Sequence, residues 1–212
     1  SGDEISKDWA PKAVEDGAIA IDNSGAFRMD AEITLCVPEV NGDLLPRLKL
    51  GDRPCAIAGA PRIIANPNCS TIQLVVALKP LAEAYGIETV RVSSYQSVSG
   101  AGKSGIEELI EQTKLALEGE TPEKGNTFPK AIAFDCLPQI GAISETSGFC
   151  SEETKIMNES RKILRLPELK VSAFTVRVPT LNSHAEAVWV TLKKSAGSSA
   201  EIESCLAAGE GI

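Results

Sequence analysis

The stretch Arg62-Ile63-Ile64-Ala65-Asn66-Pro67-Asn68-Cys69-Ser70-Thr71-Ile72-Gln73 decides how the chain folds around it. An apolar, β-like run enters it, an Asn-Pro-Asn turn breaks the run, and an apolar periodic segment leaves it. Pro67 biases Asn66 away from the helical region, so the strand ends sharply. Asn68 or Ser70 can then cap a helix that carries Leu74, Val75, Leu78 and Leu81 at helical spacing. Cys69 falls at or beside that helix N-terminus, where unpaired N–H groups and the helix dipole favour an anion. Its thiol is therefore expected to ionise more readily than a free cysteine and to serve as a nucleophile. The competing reading of a cysteine at a helix start is a small buried hydrophobe.

Upstream, Lys7–Asp16 reads as a helix closed by Gly17, and Ala18–Asp22 as a short buried strand ending in the turn Asn23-Ser24-Gly25. A helix followed by a short apolar strand is the closing part of a doubly wound α/β unit. No G-x-G-x-x-G precedes it, so the usual pyrophosphate cradle is absent from these residues. Ile33–Val37 reads as another strand and Pro38–Pro54 as a connector.

Downstream, the Cys69 helix is expected to run to about Tyr85, kinked at Pro80 and ended by Gly86. Thr89–Ser97 is β-branched and reads as a strand. Ser99–Gly105 reads as a flexible glycine-rich loop, and Ile106–Leu117 as a helix with acidic residues in its first turn. A polar loop (Glu118–Pro129), a strand (Ala131–Cys136) and an irregular stretch (Leu137–Phe149) follow. Ser151-Glu152-Glu153 opens a helix bearing Ile156, Ile163 and Leu164. Lys170–Val178 and Ala187–Leu192 read as strands joined by a loop that carries His184, and Ala200–Ala208 as a last helix. The class is α/β: the end of a Rossmann-type unit, then an α+β domain with a mixed sheet covered by helices.

Composition narrows the function. The chain has 212 residues, a formal net charge of −8 and 43% hydrophobic residues, an ordinary globular balance. The acidic balance argues against a nucleic-acid or anionic-membrane partner, because no basic field attracts phosphates. No apolar run approaches the roughly 20 residues that cross a bilayer. The cysteines at 36, 55, 69, 136, 150 and 205 are scattered without a CxxC pair. They read as reduced thiols of a cytoplasmic protein. With one histidine in the chain, a zinc site would have to be built mostly from distant thiols, and no metal is expected.

A thiolate nucleophile needs a proton-handling partner, and the sole imidazole is His184. A lone histidine is also compatible with a structural role. Glu159 and Lys162 stand three apart on a predicted helix and share a face. They could present an acceptor for an ammonium and a donor for a phosphate, or form a solvated ion pair. Gly102-Lys103-Ser104 is not a phosphate loop, since G-x-x-x-x-G-K-[ST] needs glycine where Ser97 stands. That loop suits close backbone approach to a ligand, or a plain connector.

Several segments, in order along nearly the whole chain, resemble aspartate-semialdehyde dehydrogenase. They are Asp22-Asn23-Ser24-Gly25-Ala26-Phe27-Arg28-Met29-Asp30, Val37-Pro38-Glu39-Val40-Asn41, Asn66–Gln73 and Ser94-Tyr95-Gln96-Ser97-Val98-Ser99-Gly100-Ala101-Gly102. Asn158-Glu159-Ser160-Arg161-Lys162-Ile163-Leu164, Val176-Arg177-Val178-Pro179 and His184-Ala185-Glu186-Ala187-Val188 complete the set. The resemblance implies an NADP-binding doubly wound domain, ending near residue 67, and a catalytic and dimerisation domain over 68–212. The second would be of the glyceraldehyde-3-phosphate-dehydrogenase-like kind.

The implied reaction is NADPH-dependent reduction of 4-phospho-L-aspartate to L-aspartate 4-semialdehyde and phosphate. It serves lysine, threonine, methionine and isoleucine biosynthesis, in a homodimer or tetramer. By resemblance, Cys69 forms the thioester, His184 is the acid/base and Gln96 orients the substrate. Arg177 pairs with the substrate carboxylate and Glu159 lies near its amino group. Arg28, Asn68 and Lys162 hold phosphate, and Ser99 and Gly100 contact the cofactor. The family's opening and closing segments are expected to lie before Ser1 and beyond Ile212, which makes the chain an internal fragment. Ser183-His184-Ala185-Glu186 stands where the family usually has Gly-His-Ser-Glu, so the serine is expected to restrict that backbone. The alternatives are a non-catalytic homologue acting as an interaction module, or a related N-acetylglutamyl-phosphate reductase.

Overall fold

A computed structural model describes residues 2–45 and 62–212. The part of the expected connector at 46–54, and Cys55, lie outside the described residues. The chain divides into two compact units. One comprises Ser1–Thr89, Asn158–Lys170 and Thr191–Ile212, and the other Val90–Met157 and Val171–Val190.

The first unit opens with helix α1 (Asp3–Glu15), which starts earlier than its apolar spacing indicates because Asp3 and Glu4 suit the positive helix end. Strands β1 (Ala20–Asp22), β2 (Thr34–Leu35) and β3 (Ile63–Ala65) form a parallel sheet in the order β1-β3-β2. The expectation of a buried first strand is corrected: among the described residues β1 lies at the edge of its sheet, and Ile21 is 75% exposed. The segment after Val37 is a short helix, α2 (Pro38–Asn41), followed by a 3-10 turn. Asn41 is buried there; its side chain accepts the Val37 N–H and donates to the Leu35 carbonyl, both at 2.9 Å. Two backbone groups at a strand end are thereby satisfied.

Helix α3 (Cys69–Tyr85) continues through Pro80 and stops at Gly86, whose φ of 68° suits glycine. It buries Leu74, Val75, Leu78 and Leu81 as its spacing predicts. Val75 joins Leu35, Val37, Val40, Ala65 and Ile163 in one core cluster. A final helix, here α6 (Ser199–Ala207), packs near Pro80, with the Cys205 thiol 3.5 Å from the Pro80 carbonyl.

The second unit holds most of a sheet of strands β4 (Ile87–Gln96), β5 (Leu137–Pro138), β6 (Lys170–Arg177) and β7 (His184–Leu192), in the order β5-β6-β4-β7. β5 and β6 are antiparallel. Burial alternates along β4 and β6. Val92, Ser94 and Gln96 face inward with Ala173, Thr175 and Arg177, while Tyr95 and Phe174 face outward. The Val178 N–H donates to the Gln96 carbonyl, so Gln96 and Arg177 end neighbouring strands on the inner face.

Three further expectations are corrected in this unit. Ser99–Gly105 is a 3-10 turn (Val98–Ala101) leading directly into helix α4 (Lys103–Leu117), so Glu107 and Glu108 fall beyond the first turn. Residues 131–136 form no strand. The Ile132 and Ala133 N–H groups donate to the Gln112 side chain instead of a neighbouring strand, and Phe134 turns at φ 60°. His184 is the first residue of β7 and not a loop residue. Helix α5 (Ser151–Ile163) begins where its acidic residues predict. Glu153 accepts the Cys150 N–H at 2.8 Å, as in a capping box.

Candidate active site

In the first unit, the turn before Cys69 is fixed from two sides. Asn68 is the helix cap, its side chain accepting the N–H groups of Ser70 and Thr71 at 2.9 and 3.2 Å. Its own N–H donates to Glu159 Oε2 at 2.7 Å. Cys69 is the first residue of α3 and its thiol is exposed, at the positive end of a 17-residue helix.

Glu159 is 1% exposed and also takes an ion pair from Arg28 Nη1 at 3.1 Å. Arg28 donates from Nη2 to the Asn23 carbonyl, while its buried Nε has no hydrogen-bond partner among the described residues. The Ser70, Thr71 and Ser160 hydroxyls are buried in the same condition. Lys162 donates to the carbonyls of Arg28, Asp30 and Ile33 at 2.8, 2.6 and 3.0 Å. These bonds take up all three ammonium protons and staple the segment that carries Arg28. Burial pushes the Lys162 amine below the ordinary lysine value, against the pull of Asp30 and Glu159. Burial of Asp22 works to raise its pKa. Hydrogen bonds from Ser6 and Ser24, with the Arg28 charge, nevertheless leave it below the ordinary aspartate value.

In the second unit, His184, Ser97, Arg177, Gly100 and Gln96 gather. The Ser97 N–H donates to His184 Nδ1 at 3.1 Å. An accepting Nδ1 leaves the ring proton of the neutral imidazole on Nε2, so the ring presents a donor there. Arg177 Nη1 donates to the Ser97 carbonyl at 2.6 Å. A Cβ on Gly100 would stand 2.9 Å from Arg177 Nη1, so glycine is what lets this turn approach the guanidinium; the His184 ring lies at ordinary contact distance, 3.7 Å from the same point. Gln96 is buried, and its amide donates to Ser94 Oγ and Glu152 Oε1 at 3.2 and 3.3 Å.

The cysteine turn thus gathers Asn68, Glu159, Arg28 and Lys162, and the second cluster gathers His184, Gln96, Arg177 and the Ser99-Gly100 turn. Ser97 and Glu152, which orient His184 and Gln96, were not legible as functional residues. The acidic start of α5 marked Glu152 only as a helix-opening residue. No group of three or more His, Cys, Asp or Glu among the described residues could hold a metal ion. No described helix is long and apolar enough to cross a membrane.

The chain belongs to the semialdehyde dehydrogenase family: residues 78–212 match its dimerisation domain and residues 1–47 its NAD-binding domain. Within that family its likeness is to the aspartate-semialdehyde dehydrogenases. It is 47% identical over 190 residues to aspartate-semialdehyde dehydrogenase 2 of Vibrio cholerae, a match over 90% of this chain and 53% of that protein. The crystal structure of aspartate semialdehyde dehydrogenase II from Vibrio cholerae, complexed with ASA, superposes with a TM-score of 0.87 at 43% identity. That match covers 100% of this chain and 59% of the other. The Candida albicans enzyme with NADP superposes at 0.67 and 26% identity, over 97% and 53% of the two chains. The chain spans a little over half the length of the curated relatives it matches.

Proposed function

We propose that the protein is an aspartate-semialdehyde dehydrogenase, reducing 4-phospho-L-aspartate to L-aspartate 4-semialdehyde with NADPH in the biosynthesis of lysine, threonine, methionine and isoleucine. The observation that carries this reading is the exposed Cys69 thiol opening α3, in a turn fixed by Asn68 and Glu159. The Cys69 thiolate attacks the acyl carbon, the bond to phosphate breaks, and phosphate leaves with the electron pair. N–H groups of the first helical turn stabilise the oxyanion. The Ser99-Gly100 turn would hold a nicotinamide dinucleotide, which would supply the hydride that brings the thioester carbon to the aldehyde level. The Cys69 sulfur then departs as thiolate, a good leaving group as well as a good nucleophile.

His184 serves as the acid/base, and its Nε2–H suits donation to a carbonyl oxygen that gains charge. Gln96 orients the substrate, Arg177 offers its planar fork to the substrate carboxylate, and Glu159 takes the amino group. Arg28 and Asn68 hold phosphate, a role supported by the buried Arg28 Nε. Lys162 contributes its charge from its three-carbonyl seat. Ser99 and Gly100 take the cofactor, supported by a turn that carries no side chain at its closest approach. NADP is the dinucleotide, in line with the Candida albicans structure. ASA in the Vibrio cholerae structure reads as the semialdehyde.

The domain boundary is proposed near Pro67, with residues 1–67 belonging to the cofactor domain and 68–212 to catalysis and dimerisation. A homodimer, or a tetramer of such dimers, would use the outward sheet face bearing Tyr95 and Phe174, together with Trp189 of β7. Among the described residues, the cysteines at 36, 69, 136, 150 and 205 form no disulfide, which supports a reducing, cytoplasmic setting.

The test is to follow reduced cofactor from aspartate semialdehyde, phosphate and NADP in the full protein, with and without Cys69→Ala. Activity in the variant should fall by orders of magnitude with folding intact. A loss under about tenfold would contradict the covalent mechanism. Turnover of N-acetylglutamate semialdehyde in preference would move the assignment to that reductase.

A further inference from the structure

Ser97 meets the His184 ring with two groups of opposite character. Its N–H donates to Nδ1 at 3.1 Å, and its hydroxyl oxygen lies 3.3 Å from the same nitrogen. That hydroxyl is in turn 2.9 Å from Ser99 Oγ, so two hydroxyls and one ring nitrogen form a short chain. Ser97 is fully buried and its backbone is tied on both sides. The Gln96 carbonyl before it accepts the Val178 N–H at 2.9 Å. The Val98 and Ser99 N–H groups after it donate to the Thr180 and Leu181 carbonyls at 3.0 and 3.2 Å. The Ser97 N–H therefore stays pointed at the ring. The hydroxyl proton does not, because a serine hydroxyl is a rotor that donates or accepts as its neighbours require.

An N–H aimed at Nδ1 favours the neutral ring whose proton sits on Nε2. That form can give a proton from Nε2 but cannot take one there. Acid/base work at Nε2 needs the opposite form: Nδ1 keeps a proton throughout while Nε2 is emptied and refilled. A serine-protease histidine does this by donating its Nδ1–H to a buried carboxylate. Here a proton on Nδ1 faces the Ser97 N–H across 3.1 Å, and two hydrogens in that gap repel. The Ser97 oxygen beside it is an acceptor that a small tilt of the ring brings into line.

We propose that the Ser97 side chain is a tautomer switch for His184, a positioning residue whose hydroxyl holds Nδ1–H while Nε2 accepts a proton. This rests on the acid/base role proposed above for His184. In the oxidative direction a substrate hydroxyl gives its proton to Nε2 as hydride leaves its carbon for the dinucleotide. The ring becomes imidazolium. Nδ1–H stays on nitrogen and is donated to Ser97 Oγ, whose own proton is donated to Ser99 Oγ. No proton enters the hydroxyl chain, and in the reverse direction Nε2 returns the one it took.

The experiment compares Ser97→Ala, Ser97→Cys and His184→Ala in the full protein. The ring 15N resonances of His184 are recorded without ligands and with the ring neutral, His184→Ala serving to assign them. The rate of cofactor reduction in a single turnover is measured with aspartate semialdehyde, phosphate and NADP, and the two substrate KM values separately. In the wild type both nitrogens should fall between the positions of the two pure tautomers, because both forms are populated. In Ser97→Ala, which keeps the N–H and loses the hydroxyl, both should move to the pure Nε2–H positions. The single-turnover rate should fall about threefold to thirtyfold, the worth of one hydrogen bond. Both KM values should stay within about twofold. Ser97→Cys, with its weaker acceptor, should lie between the two and decides the matter if Ser97→Ala does not fold.

The inference is overturned if Ser97→Ala leaves the ring resonances at their wild-type positions. It is overturned equally if the variant's rate is unchanged while His184→Ala abolishes turnover, or if rate and both KM values worsen together. If His184→Ala leaves the rate unmoved, it is the acid/base role that fails. The resonances alone then show whether the hydroxyl holds Nδ1–H, and unmoved positions overturn that too.

Discussion

The Asn68 N–H and Glu159 Oε2 lie 2.7 Å apart, so the peptide leading into Cys69 is tied to a residue 91 positions further along the chain. The same carboxylate neutralises Arg28, and both partners are buried. Glu159→Ala would strand the Arg28 charge and release the cysteine turn. The expected cost is about 3 kcal/mol, since removing one partner of a buried pair leaves the other uncompensated. Urea denaturation measures it, and a loss under about 1 kcal/mol would mean the pair carries little. Glu159→Gln retains an acceptor for the Asn68 N–H and should fall between the two.

Ser183, immediately before His184, has φ 73°. This left-handed geometry costs a side-chain-bearing residue roughly 1–2 kcal/mol relative to glycine. It is also the position where the family resemblance leads one to expect glycine. Ser183→Gly should therefore stabilise the protein by about 1 kcal/mol, less the entropy glycine loses on folding. A denaturation midpoint that falls instead would place the serine hydroxyl in a contact worth more than the strain.

Asp22 has a folded-state pKa below its ordinary value, through Ser6, Ser24 and the Arg28 charge acting against its burial. A depressed carboxylate pKa contributes stability that is present above the unfolded value. As pH falls through the folded value, that stability is lost. Acid should then weaken the first unit partly through this group. In Asp22→Asn the stability between pH 6 and 3 should vary less steeply than in the wild type (roughly the acid range set by carboxylates). Equal slopes would remove Asp22 from the account.

The part of the fold around Cys69 was legible because its determinants are local. Pro67 ends a strand, Asn68 caps a helix, and the apolar spacing after Cys69 names the buried face. What sequence could not carry were bonds between distant segments. Residues 131–136 have the composition of a strand, yet their N–H groups are claimed by Gln112, about 20 positions earlier. The glycines at 100, 102 and 105 suggest flexibility, but a side chain at the first would crowd the Arg177 guanidinium, and one at the last would meet the Val98 carbonyl at 2.7 Å.

The two clusters divide in the same way. Cys69 and His184 could be singled out by residue type and local setting. That Lys162 spends its protons on three carbonyls, or that Ser97 sets the tautomer of His184, depends on chain segments far away in sequence. The Arg28–Glu159 pair spans 131 positions and has no local signature.

The outward face of the second unit's sheet has one more consequence. Trp189 on β7 is 61% exposed, and the chain's only other tryptophan, Trp9, lies in the first unit at 63%. An indole on a surface that copies of the chain would bury reports its own dehydration through the colour of its emission. If copies pair through that proposed face, then with Trp9 replaced by phenylalanine dilution would move the emission to the red as Trp189 meets water, and an unmoved spectrum would place the seam elsewhere.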